Sequence, residues 1–149
     1  MSQFIDPSPI PYDAIDLSWI VGRMITEVSF LEPTLWRFFF GSSEHIGVEC
    51  LWRIVSGEHI VRTRDDHGQQ FGHPAPVDAA QQATKLLAGA PITAVQLRQA
   101  TADISIQLSE DLRLEIIPDS SGYESWQLYA PAGLCFVAQG GGQICTWTQ

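Results

Sequence analysis

The sequence predicts an α+β domain, mainly antiparallel β: two pseudo-symmetric β-meander repeats joined by one helix, plus a C-terminal hairpin. Three observations predict it. Apolar and polar residues alternate over short stretches, as in Ile104, Ile106 and Leu108 against Asp103, Ser105 and Gln107, the pattern of a strand with one face buried. One stretch, Ala79, Ala80, Ala83, Leu86 and Leu87, repeats its apolar residues at helical spacing. An ordered series recurs 67 positions further on: Gly22, Ile25, Thr26, Val28 and Phe30 set against Gly89, Ile92, Thr93, Val95 and Leu97.

The elements follow in order along a single domain, 1–149. Residues 1–16 read as an extended arm, because Pro7, Pro9 and Pro11 fix their own φ and bar helix before them. Residues 17–64 are the first repeat. It opens with a short helix over about 14–21, stopped at Gly22, where a left-handed backbone suits glycine. Trp36, Phe38 and Phe40 then alternate with Arg37 and Phe39, Gly41-Ser42-Ser43 turns, Ile46 to Val55 returns, and Ser56-Gly57 turns into Glu58 to Arg64. That series reads as a four-strand meander. Residues 65–76 form a linking loop. Residues 77–129 are the second repeat, with the better helix: Pro76 stands at its start and Asp78 lies where the helix dipole favours an acid. The strand of Ile104 to Leu108 and that of Leu112, Leu114 and Ile116 form a hairpin across Ser109-Glu110-Asp111. Residues 130–149 are the C-terminal hairpin, with Gly140-Gly141-Gly142 as its turn; no helix follows the triplet, so it is not read as a phosphate cradle. With gaps in the turns, Ile46, Val48, Glu49 and Cys50 align with Leu112, Leu114, Glu115 and Ile116, and Ile60 with Trp126. A closed or partly open β-barrel is the alternative architecture, since closure removes strand edges.

Composition excludes several function classes. Seventeen acids against eight bases give a net charge of −9, which repels phosphate backbones and anionic bilayers, so neither nucleic acid nor membrane is an expected partner. A basic polypeptide would be steered inward. Cys50, Cys135 and Cys145 are odd in number and form no C-x-x-C pair, so neither disulfide framework nor zinc knuckle is implied. Met1 to Asp16 holds no basic residue, unlike a secretory signal, and a cytoplasmic location is expected. P-loop and dinucleotide fingerprints are missing, and no cofactor is expected.

Candidate binding residues fall in three places. Arg37 and Phe39 share the second face of an aromatic strand. A strand apolar on both faces is either covered on both or offers a contact surface. Arg62, Arg64, Asp65, Asp66, His67 and His73 form the densest polar cluster. Imidazole and carboxylate are ligand types for zinc, but no second ligand pair stands at metal spacing, so no metal is assigned. The two arginines either clamp an anion or pair with Glu49 and Glu58 across the strands. Tyr123, Glu124 and Trp126 lie in a segment rich in reactive types yet without G-x-S-x-G, and they read as interface or packing residues. Glu49 and Glu115, as equivalents in the two repeats, either converge near an axis or face solvent.

Tyr123-Glu124-Ser125-Trp126-Gln127-Leu128, then Pro131 and Gly133, Gly141-Gly142, Ile144 and Trp147, together with Gly89, Ile92, Val95 and Leu112-Arg113-Leu114-Glu115, resemble an uncharacterised bacterial domain family. The resemblance covers about residues 86–147 well and Trp19 to Phe30 more weakly. It implies no activity and no catalytic residues. Small acidic domains of this character are similar to immunity proteins, which neutralise toxins. The expected function is a non-enzymatic acidic binding protein, an immunity-type partner of a basic toxin. The alternatives are a homo-oligomeric structural module, and a small metal- or His/Asp-dependent enzyme or sensor using residues 59–73.

Overall fold

The structure is a computed structural model and describes residues 4–5, 9–41 and 43–148. Its strands are β1 (Phe4–Ile5), β2 (Glu27–Leu31), β3 (Leu35–Phe39), β4 (His45–Val48), β5 (Leu51–Ser56), β6 (His59–Thr63), β7 (Ile92–Leu97), β8 (Ile104–Leu108), β9 (Leu112–Ile117), β10 (Trp126–Tyr129), β11 (Leu134–Ala138) and β12 (Ile144–Thr148). One α-helix, α1 (Ala79–Leu87), precedes β7. The fold is mainly antiparallel β with a single helix, as the alternation and the helical stripe predict.

The strands form two sheets, in the orders β1-β12-β11-β10-β4-β3-β2 and β6-β5-β9-β8-β7. Their inner faces meet in one core that holds Trp36, Phe38, Trp52, Ile106, Leu114, Trp126 and Leu128. The two orders match position by position: β2, β3, β4, β5 and β6 stand to one sheet as β7, β8, β9, β10 and β11 stand to the other. Met24 forms an isolated antiparallel bridge with Pro91, its own counterpart at an offset of 67 (91 − 24). A residue meets its own repeat partner in an antiparallel bridge when a twofold axis passes between them.

Four details depart from the sequence reading. The expected four-strand meander is a three-strand meander, and the single strand expected over Ile46 to Val55 is two, β4 and β5. The fourth strand of each repeat crosses to the other sheet, so β5 pairs with β9 and β10 with β4. The chain bends over at Glu49 and Cys50, between β4 and β5, with Cys50 buried and Glu49 exposed.

The alignment through the second hairpin slips by two residues. Phe38 pairs with Ile46 and Ile106 with Leu114, so Ile46 corresponds to Leu114 and no gap is needed. Val48 then corresponds to Ile116. Their partners, Trp126 and Trp52, are the equivalent pair, rather than Ile60 and Trp126. Glu49 and Glu115 are not equivalent: Glu115 lies opposite Ser105 as Gly47 lies opposite Arg37. A slip of two keeps every side chain on its face, so alternation could not detect it.

The short helix before Gly22 is two 3-10 turns, Tyr12–Ala14 and Ser18–Ile20. Asp16 accepts the Ser18 amide at 2.9 Å, a side-chain turn that competes with helix. Of the expected arm over 1–16, residues 1–3 and 6–8 lie outside the described residues, as does Ser42 of the turn at 41–43. Phe4–Ile5 is strand, paired with β12.

Helix α1 bridges the outer strands β2 and β6 of the two sheets. Asp78 caps it by accepting the Gln81 amide at 3.0 Å. Ala79, Ala83 and Leu87 are buried beneath it. Thr84 Oγ1 accepts the amide of Val28 at 2.9 Å, which satisfies the open edge of β2. The glycine triplet turns the last hairpin, as read, and also permits close packing. A Cβ on Gly142 would stand 1.9 Å from the carbonyl oxygen of Ala100. In the adjoining segment Trp126 donates its indole N–H to the carbonyl of Ala102 at 2.8 Å.

Candidate functional site

The outward faces of the two sheets differ in chemistry. On the five-stranded sheet the outward row Arg53, Glu115, Ser105 and Gln96 is polar. There Glu115 accepts Arg53 Nε at 2.7 Å and Arg113 Nε at 3.3 Å. On this polar face one carboxylate is shared by two guanidiniums.

The seven-stranded sheet carries an aromatic row instead. Register places Phe39 beside His45, His45 beside Tyr129, Tyr129 beside Cys135, and Cys135 beside Trp147. The rings touch in sequence: Phe39 to His45 at 4.9 Å, His45 to Tyr129 at 4.4 Å and nearly parallel, Tyr129 to Trp147 at 5.7 Å edge-on. At the far end of this row Cys135, Val137 and Trp147 form a second, smaller buried cluster against which Tyr129 packs.

A cleft of about 520 Å³ opens in this face. Arg37, Leu35, Glu44 and His45 wall one side, Tyr129 and the 130–134 turn the other, and Gly47 and Gln127 form the floor. Gly47 leaves room for the Gln127 side chain: a Cβ there would meet Gln127 Oε1 at 2.7 Å and that side chain would have to shift. The Gln127 amide is nearly buried. It donates to two carboxylates, Glu49 Oε2 at 2.9 Å and Glu124 Oε2 at 3.2 Å. Among the described residues neither carboxylate has a cationic partner. Arg37 is turned aside, its Nε donating to Ser29 Oγ at 3.2 Å and its guanidinium lying 5.2 Å over the Phe39 ring.

Burial lowers the pKa of His45 below 6.5, opposed by the Ser43 carbonyl at 2.7 Å and aided by Arg37. The ring is neutral at pH 7, with Nδ1–H donating to that carbonyl. Tyr129 is raised by burial, with Cys135, Glu124 and Glu49 adding to it. The Cys135 thiol is pushed up to about 12 by burial and by Glu124. Cys50 is pushed to about 12 by burial. Both thiols are protonated at neutral pH, which leaves them weak nucleophiles.

The other expected site residues are placed as follows. Arg62 pairs with Asp66 at 3.1 Å, and Arg64 with Asp65 at 3.3 Å and Asp119 at 3.6 Å. Neither arginine is ion-paired with Glu49 or Glu58. Asp66 also accepts the Thr63 amide at 2.9 Å, closing a capping box. His67 lies against Phe30 and Trp36 at 5.0 and 5.3 Å, and its Nδ1 accepts the Ala79 amide at 3.1 Å. It anchors the linking loop to the start of α1. His73 is exposed, apart from His67 in contacts. Among the described residues no group of three or more His, Cys, Asp or Glu is placed to hold a metal ion, and no helix is long and apolar enough to cross a membrane. Tyr123 is exposed on the loop before β10. Trp126 was expected as a binding residue, but it is fully buried with its N–H satisfied, so it packs the core and offers a partner no surface.

Arg37, Phe39 and Glu124 are therefore brought to one face, and His45, Gly47, Glu49, Gln127 and Tyr129 join them. Parity could have found some of these, since Gln127 and Tyr129 share one face of β10. Their meeting with β3 and β4 depends on the strand crossing.

A protein-family model described as a family of unknown function, DUF6188, matches residues 16–148. Neither the curated proteins nor the solved structures contain a match.

Proposed function

The chain belongs to DUF6188, a family of unknown function, whose match takes in both repeats, and we propose that it is a non-enzymatic binding protein that docks a basic polypeptide on the outer face of the seven-stranded sheet. The observation that carries this is the pair of un-neutralised carboxylates, Glu49 and Glu124, held on one Gln127 amide, two residues along β10 from Tyr129. A partner's Lys or Arg finds two acceptors there. Charge pairing at such a rim sets orientation and on-rate. The net charge of −9 steers the same class of partner. A cytoplasmic immunity-type role against a basic toxin is the form of this function that the acidic composition favours.

The test is calorimetric titration with a synthetic Arg- and Lys-rich peptide, with its Glu-substituted counterpart as control. Binding is expected to weaken with salt. The pair Glu49→Gln with Glu124→Gln should weaken it at least tenfold, or about 1.4 kcal/mol. Gly47→Ala, which displaces Gln127, should weaken it too. Equal affinity for the two peptides, or affinity unmoved by the Glu49 and Glu124 variants, would reject the reading.

A further inference from the structure

The twofold repeat makes one comparison available inside the molecule. Strand β2 is an edge, and the amide of Val28 is taken by Thr84 of α1. The equivalent edge is β7, and Val28 corresponds there to Val95. At the same offset of 67, α1 corresponds to Tyr12–Ile20, and Thr84 to Leu17. Leu17 has no polar side-chain atom to offer the edge. Instead a cleft of about 570 Å³ lies between this segment and Thr93–Leu97.

Backbone geometry shows what the edge presents. Arg98 donates to the carbonyl of Asp103 at 2.8 Å, and the 96–105 pair follows as the next hydrogen-bonded pair of the antiparallel ladder. The intervening residues, Val95 and Leu97, therefore turn their N–H and C=O groups away from β8. Among the described residues neither amide has another partner. Natural edges are usually protected by charge, proline or cover. Thr93–Leu97 has no charge and no proline.

We infer that β7 is a self-association edge, pairing antiparallel with β7 of a second copy about a twofold axis at Gln96. Two outward residues flanking one central residue are self-complementary: Val95 of each copy exchanges hydrogen bonds with Leu97 of the other, an isologous contact. The edge sets no like charges opposite each other, which matters for a chain of net charge −9. The same register puts Arg98 opposite the other copy's Ala94. Ala94 lines the cleft with Asp13. Arg98 and Asp13 are exposed and lack ion-pair partners among the described residues, so the pairing supplies each with one from the other copy. Val21 and Met24, exposed apolar side chains beside this edge, are brought toward the contact. The surface is separate from the docking face proposed above and does not depend on it.

Light scattering after size separation, over a concentration series, tests it. The full chain should approach twice its 16.5 kDa mass as concentration rises. Val95→Pro removes an outward N–H, a place where an edge strand accepts proline. That variant should still unfold cooperatively, at a melting temperature lowered only by the lost packing of the half-buried Val95, and stay monomeric. Arg98→Asp and Asp13→Arg should each dimerise at least tenfold more weakly. An equimolar mixture of the two should recover the dimer, because the exchanged charges are then complementary at both ends. A chain monomeric at every concentration, a dimer that survives Val95→Pro, or a mixture no stronger than its components would each overturn the inference.

Discussion

Two tryptophans at equivalent places in the twofold repeat differ in one hydrogen bond, and this separates packing from polar satisfaction. Trp126 donates to Ala102, whereas the indole nitrogen of the equally buried Trp52 has no partner. Phenylalanine at either position loses similar packing. Trp126→Phe also strands a buried carbonyl. It should therefore cost about 1–3 kcal/mol more than Trp52→Phe in urea unfolding. His45 gives a second prediction. Its folded pKa lies below its ordinary 6.5, so the unfolded chain takes up the proton first as pH falls. Stability is thus full above 6.5 and declines as pH drops from there toward the lower folded value. The melting temperature should fall between about pH 7.5 and pH 5.5, and His45→Gln should flatten that part of the profile. The same protonation adds positive charge beside Tyr129, so affinity for a basic peptide should fall over the same interval.

At the scale of elements, the helix and the strand edges decide what is open. Helix α1 is nine residues long, too short to be stable alone in water, and it holds because its apolar face is buried and its Thr84 meets β2. Thr84→Val keeps the shape and removes the hydroxyl. It should cost about 1–2 kcal/mol and speed hydrogen exchange at Val28 more than at Phe38. Unchanged exchange at Val28 would show that the edge amide is satisfied by other means. The linking loop over 65–76 belongs to this scale too. Its Asp65 and Asp66 pair with Arg64 and Arg62, and its His67 accepts the Ala79 amide at the start of α1.

Across the whole molecule, the crossing of β5 and β10 ties the repeats together. Each sheet is completed by a strand pair contributed by the other repeat, so neither repeat buries its three-strand meander alone. Separate fragments covering 9–75 and 76–148 should each lack the β signal in circular dichroism, and an equimolar mixture should regain it. A fragment that folds by itself would show that the crossing is dispensable.

The alternating strand faces, the hairpin turns, the helical stripe of α1 and the duplication itself were determined by the sequence. Each is set by neighbours a few positions apart, or by the same local pattern occurring twice. Alternation has a period of two, so it marks the face of Trp36 or Leu114 but is blind to a slip of two and to the choice of sheet. Hydrogen bonding between distant strands made those choices. It set Trp126 against Val48 in the core, where the sequence left packing and interface both open. It also brought Phe39 and His45 beside Tyr129, and Glu49 beside Glu124, into one face that no local window of the chain contains.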